Sequence, residues 1–149
     1  MRCGMYDDII VATDGEAGAA AALAAAVDLA VIHEATLHGV FVLDPRIYTA
    51  YSGDEYVDDA EGPEHGLLEL GEEALGEVTM SADAVGVAHE THLARGRPAQ
   101  QVIETAASVD ADLVVVGSTS HDEAYRSLLG SVAETVVRHC ERPVLVVKS

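Results

Sequence analysis

The sequence predicts an α/β domain with a single doubly wound, five-stranded parallel sheet and helices on both faces. Strand and helix patterns alternate along the 149 residues, with five short apolar runs separated by four helical segments. The run at 113–116 is apolar throughout, which is typical of strands covered on both faces. No Asn-Gly hairpin signal lies between the runs, so we expect parallel strands joined by crossovers.

The first half of the chain is predicted to contain two strands and two helices. The apolar run at 8–13 is the first strand, and the Ala-rich segment 17–34 is a helix whose small side chains can lie close to a sheet. A second strand follows at 36–43. The segment 43–63 carries Pro, Gly, tyrosines and several acids, which indicates a long surface loop. Apolar residues then recur at helical spacing over 64–81.

The second half is predicted to contain three strands and two helices. Pro98 is suited to the first turn of a helix over 99–109. An apolar stripe from Leu128 to Cys140 indicates the last helix. The three strands are assigned to 85–93, 113–116 and 144–147. All the elements are assigned to one domain, residues 1–149, because this length suits a single core.

The charge balance is strongly acidic. Asp and Glu number 26 against 8 Lys and Arg, which gives a net charge of −18. The acids are spread from Asp7 to Glu141, and Lys148 is the single lysine. Hydrated carboxylates and scarce lysine favour a halophilic protein in a salt-rich cytoplasm, where salt screens their repulsion. The absence of a basic stripe argues against a nucleic-acid partner.

Other features favour a cytoplasmic protein without a membrane partner. No apolar run reaches the length of a membrane span, and the first residues lack the apolar core of a signal peptide. Cys3 and Cys140 show neither metal spacing nor a disulfide framework, so we expect reduced thiols.

A candidate site lies where two strands end. Asp14 follows the first strand and Gly117 follows the fourth, so both share one crevice if these strands are neighbours. The loop after Gly117 leads to Gly130 and Ser131, where a helix start can offer backbone N–H groups and a hydroxyl to a nucleotide phosphate. Two plainer interpretations stay open: Asp14 as a helix cap, and Ser131 as a helix-start hydroxyl.

The chain resembles the universal stress protein family over almost its whole length. The resemblance is carried by Ile-Ile-Val-Ala-Thr-Asp-Gly at 9–15, Val-Phe-Val-Leu-Asp at 40–44 and Gly-Arg-Pro at 96–98. It continues through Gly117, Gly130-Ser131 and Pro-Val-Leu-Val-Val at 143–147. The nucleotide-binding branch of the family carries Gly-x-x-Gly, nine residues, then Gly-Ser or Gly-Thr.

This resemblance implies the strand order 3-2-1-4-5, an adenine nucleotide alpha hydrolase-like fold and an ATP (or AMP or ADP) site, with Mg²⁺ as a companion of ATP. It also implies a homodimer through the fifth strand, with Val144 and Val146 at the contact. Asp14 would lie by the ribose or adenine and Val42 by the base. The implied nucleotide-binding residues are Ala12, Thr13, Asp14, Val42, Gly117, Ser118, Ser120, Gly130, Ser131 and Val132.

Two functions from different classes are left open. The first is an ATP- or AMP-binding stress-response regulator with little or no catalysis, favoured by the spacing from Gly117 to Gly130-Ser131. The second is a nucleotide-free dimeric interaction protein of the same fold. It is favoured by Ser120, which replaces a motif glycine, and by Asp122 and Glu123, which would repel phosphates.

Enzymatic and metal chemistry are not predicted. The sequence contains no Gly-x-Ser-x-Gly, zinc motif or phosphate-loop lysine. His121-Asp122-Glu123 is interpreted as a solvated loop. His89 and His92 are expected on opposite faces of their strand, so we assign neither catalytic nor metal-binding residues.

Overall fold

The computed structural model describes residues 5–13, 17–44, 63–118 and 131–148. They form strands β1 (Asp8–Ala12), β2 (Thr36–Leu43), β3 (His89–Arg95), β4 (Leu113–Ser118) and β5 (Val144–Lys148). The helices are α1 (Ala17–His33), α2 (Pro63–Ala84), α3 (Pro98–Ser108) and α4 (Ser131–His139). Among these residues, no helix combines the length and the apolar character that crossing a membrane requires.

The strands form one sheet in the order β3-β2-β1-β4-β5, and every neighbouring pair is parallel. The predicted fold class and strand order are therefore confirmed. The chain builds outward from β1 to β3 and then crosses back to β4 on the other side of β1. This places the reversal of strand order between β1 and β4, where α/β sheets usually bind ligands.

Helices cover the sheet on both faces. On one face, α1 and α2 bury a cluster that includes Ile9, Leu37 and Val115. On the other, α3 and α4 bury a cluster that includes Ile10 and Val114. Neighbouring residues of β1 thus enter opposite clusters, which is why the central strands are mostly apolar on both faces.

Helix α1 packs through alanines. Ala22 and Ala26 are fully buried and Ala30 nearly so, at the i, i+4 spacing of one helix face. These methyl groups let the α1 backbone lie close to the strands.

Two glycines set the distance between α2 and β2. A Cβ atom on Gly39 would stand 2.9 Å from Cγ1 of Val78, and one on Gly71 would stand 2.7 Å from Cδ1 of Phe41. Both contacts are shorter than packed carbon atoms allow. Gly39 of β2 thus leaves room for Val78 of α2, and Gly71 of α2 leaves room for Phe41 of β2. These two contacts lock the helix against the strand.

The predicted bounds of the third strand were wrong at both ends. The structure starts β3 at His89 rather than at residue 85, and ends it at Arg95 rather than at 93. Helix α2 continues to Ala84, and Gly86, at φ 72°, closes it while the Val87 N–H donates to the Ala82 carbonyl at 2.9 Å. Val85 and Val87 therefore belong to the helix end, although their alternation resembles a strand.

Candidate functional site

The ends of β1 and β4 lie side by side at the carboxyl edge of the sheet, where the strand order reverses. Beyond β1, the Thr13 N–H donates to the Val40 carbonyl at 2.9 Å, which fixes the chain as it leaves the sheet. Beside it, β4 ends in Gly117 and Ser118, and Ser118 is buried. The register pairs Gly117 with Val147 of β5. Thr13 and Gly117 therefore lie side by side at neighbouring strand ends.

An apolar surface lies next to this edge. Ala12 of β1, Val42 of β2 and Val132 of α4 are partly buried, and all three pack against the cluster on the α3–α4 face. Ala12 pairs with Val40, so Val42 lies one step further along the same face of β2. The structure thus brings the predicted base contact, Val42, to the same face as the start of α4.

Several predicted site residues lie outside the described part of the chain. These are Asp14, Ser120 and Gly130. Ser131 is described as the first residue of α4, and the residues before it, 119–130, lie outside the described part of the chain. Ala12, Thr13, Val42, Gly117, Ser118 and Val132 are described and lie at or beside the carboxyl edge.

A buried acid at the same edge was missed as a site candidate. Asp44 directly follows β2 and is only 4% exposed. Next to it, the Gly96 N–H donates to the Leu43 carbonyl at 2.9 Å and ties the exit of β3 to that of β2. The signal in the sequence is an acidic residue immediately after an apolar strand, the pattern that drew attention to Asp14.

A second polar cluster lies nearer the amino end of the sheet. His38 of β2 is 3% exposed, and its Nε2–H donates to Oδ1 of Asp8 at 3.0 Å. The other ring nitrogen, Nδ1, lies 3.1 Å from Nε2 of His92 and 3.5 Å from Oε2 of Glu90 on β3. Burial and the neighbouring His38 hold the pKa of His92 below its usual value, while Glu90 acts in the opposite direction.

This cluster was not predicted from the sequence. The prediction that His89 and His92 lie on opposite faces is confirmed, since their β2 partners Leu37 and Val40 belong to different core clusters. Glu90 and His92 share the face of His38, which the prediction left out. Their two-residue spacing on a strand is the available signal, but the partner on β2 lies more than fifty residues away.

Comparison with known proteins decides the family. The model of the universal stress protein family matches residues 5–148. The chain belongs to the universal stress protein family. Its resemblance to that family, first recognised from short motifs, is therefore confirmed over nearly the whole chain.

Individual universal stress proteins agree with this assignment. One from Methanocaldococcus jannaschii is 34% identical over 147 residues, covering 97% of this chain and 83% of the relative. The crystal structure of a family protein from Burkholderia pseudomallei is 29% identical, with a TM-score of 0.70, and the match covers 97% of this chain and 98% of that one. A universal stress protein in complex with cAMP is 27% identical, with a TM-score of 0.68 and coverage of 95% and 96%.

Proposed function

We propose that this universal stress protein is an adenine-nucleotide-binding regulator of the stress response, with little or no catalysis. The observation that carries the proposal is the reversal of strand order, which sets Thr13 beside the Gly117–Ser118 end of β4. Ligands of open parallel sheets bind at such a reversal because the loops on its two sides diverge and leave a cleft.

The residues beside this reversal suit the two chemical parts of a nucleotide, its base and its phosphates. Ala12, Val42 and Val132 offer an apolar surface to a base. A helix start at Gly130-Ser131, as expected from the sequence, would offer backbone N–H groups and the positive end of a helix dipole to phosphates. The solved family member in complex with cAMP shows that an adenine nucleotide is bound within this family. We propose ATP as the main ligand, with Mg²⁺ offsetting the charge of the phosphates.

A nucleotide-free dimeric interaction protein is the second candidate. It is favoured by Ser120 at a motif glycine position and by Asp122 and Glu123 in the loop that should face the phosphates. Two carboxylates near a triphosphate oppose its binding unless a cation or concentrated salt screens them.

Nucleotide binding is tested first on gently purified protein. Mass spectrometry under native conditions is expected to find an adenine nucleotide, and calorimetry in molar KCl with Mg²⁺ is expected to show saturable ATP binding at one site per chain. Asp14→Ala should weaken that binding by about tenfold or more, because a hydrogen bond from the sugar to a carboxylate is worth about 1.5–3 kcal/mol.

Two further variants sharpen the result. Gly130→Val should also weaken binding, since it adds bulk at the phosphate loop, whereas Asp28→Ala, an exposed acid of α1, should bind as the parent does. If ATP, ADP and AMP all fail to bind at high salt, the second candidate replaces the first.

We also propose a homodimer through β5. This strand forms the edge of the sheet, and Val144–Val147 are partly exposed. The Pro143 carbonyl accepts from the Val114 N–H at 2.9 Å, so alternation directs the backbone groups of Val144 and Val146 to the open side. Among the described residues β5 has a strand neighbour on one side alone, and an apolar edge of this kind invites pairing with a second copy.

Sedimentation in molar KCl checks the dimer. The parent is expected to be dimeric, and Val146→Glu monomeric, because two carboxylates would meet across the two-fold axis. Met80→Glu is the matched control: Met80 is 72% exposed on α2, which packs on the β2–β3 side, so the dimer should persist. A monomeric parent, or a folded Val146→Glu variant that stays dimeric, contradicts the β5 interface.

A further inference from the structure

We propose that His38, Glu90 and His92 form a binding site for a first-row divalent transition metal ion of the Zn²⁺ type. The site lies on the α3–α4 face of the sheet, where β2 and β3 pair His38 with Glu90 and Val40 with His92. His38 precedes Val42 by four residues on β2, or about 13 Å of strand. The site is therefore separate from the nucleotide crevice at the carboxyl edge.

The distances match those around a four-coordinate ion. Tetrahedral Zn²⁺ with bonds of 2.0–2.1 Å separates its ligand atoms by roughly 3.3 Å. Nδ1 of His38 lies 3.1 Å from Nε2 of His92 and 3.5 Å from Oε2 of Glu90, and all three ligand atoms lie within 4.8 Å of one another. The two distances from His38 already lie within about 0.2 Å of that separation. The exposed side chain of Glu90 can rotate to bring its carboxylate to the matching distance from His92.

Asp8 prepares His38 to act as a ligand. A carboxylate can only accept, so the 3.0 Å contact with Oδ1 of Asp8 places a proton on Nε2 of His38. In the neutral ring, this directs the lone pair of Nδ1 towards His92 and Glu90. A histidine ligand whose second nitrogen donates to a carboxylate is the usual arrangement in metal sites, because it fixes the tautomer and raises the basicity of the ring.

His92 completes the pair. Without metal, its Nε2–H donates to Nδ1 of His38; with metal, the proton moves to the other ring nitrogen or leaves, and both lone pairs face the ion. Glu90 supplies a negative charge, and its side chain is 64% exposed, so water can reach the open fourth position. Two imidazoles and one carboxylate favour Zn²⁺, Co²⁺, Ni²⁺ or Cu²⁺ over Mg²⁺, which prefers oxygen ligands.

The experiment uses full-length, nucleotide-free protein without a histidine tag, after dialysis against a chelator and then into molar KCl. Titration with ZnCl₂ by calorimetry, and with CoCl₂ by visible absorption, is expected to show one bound ion per chain. The Co²⁺ complex should give the intense visible bands of a four-coordinate ion. Mg²⁺ at millimolar concentration should not displace Zn²⁺, which separates this site from any Mg²⁺ bound with ATP.

Three variants locate the ion. His92→Ala and Glu90→Gln should each weaken Zn²⁺ binding at least tenfold. His89→Ala removes a histidine of the same strand from the opposite face, where Nδ1 lies 3.1 Å from the Val87 carbonyl oxygen, and it should bind as the parent does. Circular dichroism checks folding, and if His92→Ala does not fold, the exposed Glu90→Gln decides.

Absence of saturable Zn²⁺ and Co²⁺ binding overturns the proposal, as does binding that is unchanged in Glu90→Gln. Neither result bears on the nucleotide crevice, since its calorimetry with ATP is performed separately and depends on other residues.

Discussion

The midpoint of thermal unfolding is expected to rise by roughly 10–20 °C between dilute buffer and molar KCl. A net charge of −18 on 149 residues creates strong repulsion in the folded state. Molar salt shortens the screening length to about 3 Å and removes most of it. Calorimetry or circular dichroism over a KCl series measures the shift directly.

Two controls separate screening from a general effect of solutes. Sucrose at matched osmolality should raise the midpoint far less, because it does not screen charge. Glu72, Glu73 and Glu77 lie on the exposed side of α2, and replacing all three by Gln should reduce the salt dependence. A midpoint that is indifferent to KCl would contradict the halophilic interpretation.

Gly71→Ala is expected to lower the free energy of unfolding by about 1–3 kcal/mol, although alanine is the better helix former. The added Cβ would stand 2.7 Å from the ring of Phe41, which is 4% exposed, so moving the ring would disturb the core around it. Overpacking therefore outweighs the gain of about 1 kcal/mol in helix propensity. Urea denaturation in molar KCl measures the change.

The same helix supplies the control for that substitution. A Cβ on Gly76 would meet nothing within 4 Å, so Gly76→Ala should raise the free energy of unfolding by about 0.5–1 kcal/mol. Phe41→Val should offset part of the loss in Gly71→Ala, because it removes the clashing ring, and a double-mutant cycle measures that coupling. Equal effects at Gly71 and Gly76 would show that α2 does not rest on Phe41.

Most of the fold could be predicted because buried strands and helices leave recognisable patterns of apolar residues in the sequence. The strands β1, β2 and β4 lie in the middle of the sheet, so they are apolar on both faces and short enough to be told from helices. The third strand was misplaced because β3 is an edge strand with half-exposed polar residues. The more apolar segment before it, Val85–Val87, serves instead to end α2.

For the candidate sites, too, one part could be predicted from the sequence and another could not. The ends of the first and fourth strands could be placed side by side because both strands are apolar runs, and strand ends meet at a reversal of strand order. Asp14, which was predicted to follow the first strand, lies outside the described residues. The contact between His38 and His92 could not be predicted, because it depends on the register of two strands joined by a long connection. A shift of one residue would turn His92 to the opposite face.

The alanine face of α1 has a consequence for the heat capacity of unfolding. Ala22, Ala26 and Ala30 fill positions where many helices bury leucine or isoleucine, and each exposes only one methyl group when the chain unfolds. Newly hydrated apolar area is what raises the heat capacity of an unfolded chain. A smaller heat-capacity change on unfolding flattens the curve of unfolding free energy against temperature. This protein should therefore lose stability slowly above and below its temperature of maximum stability.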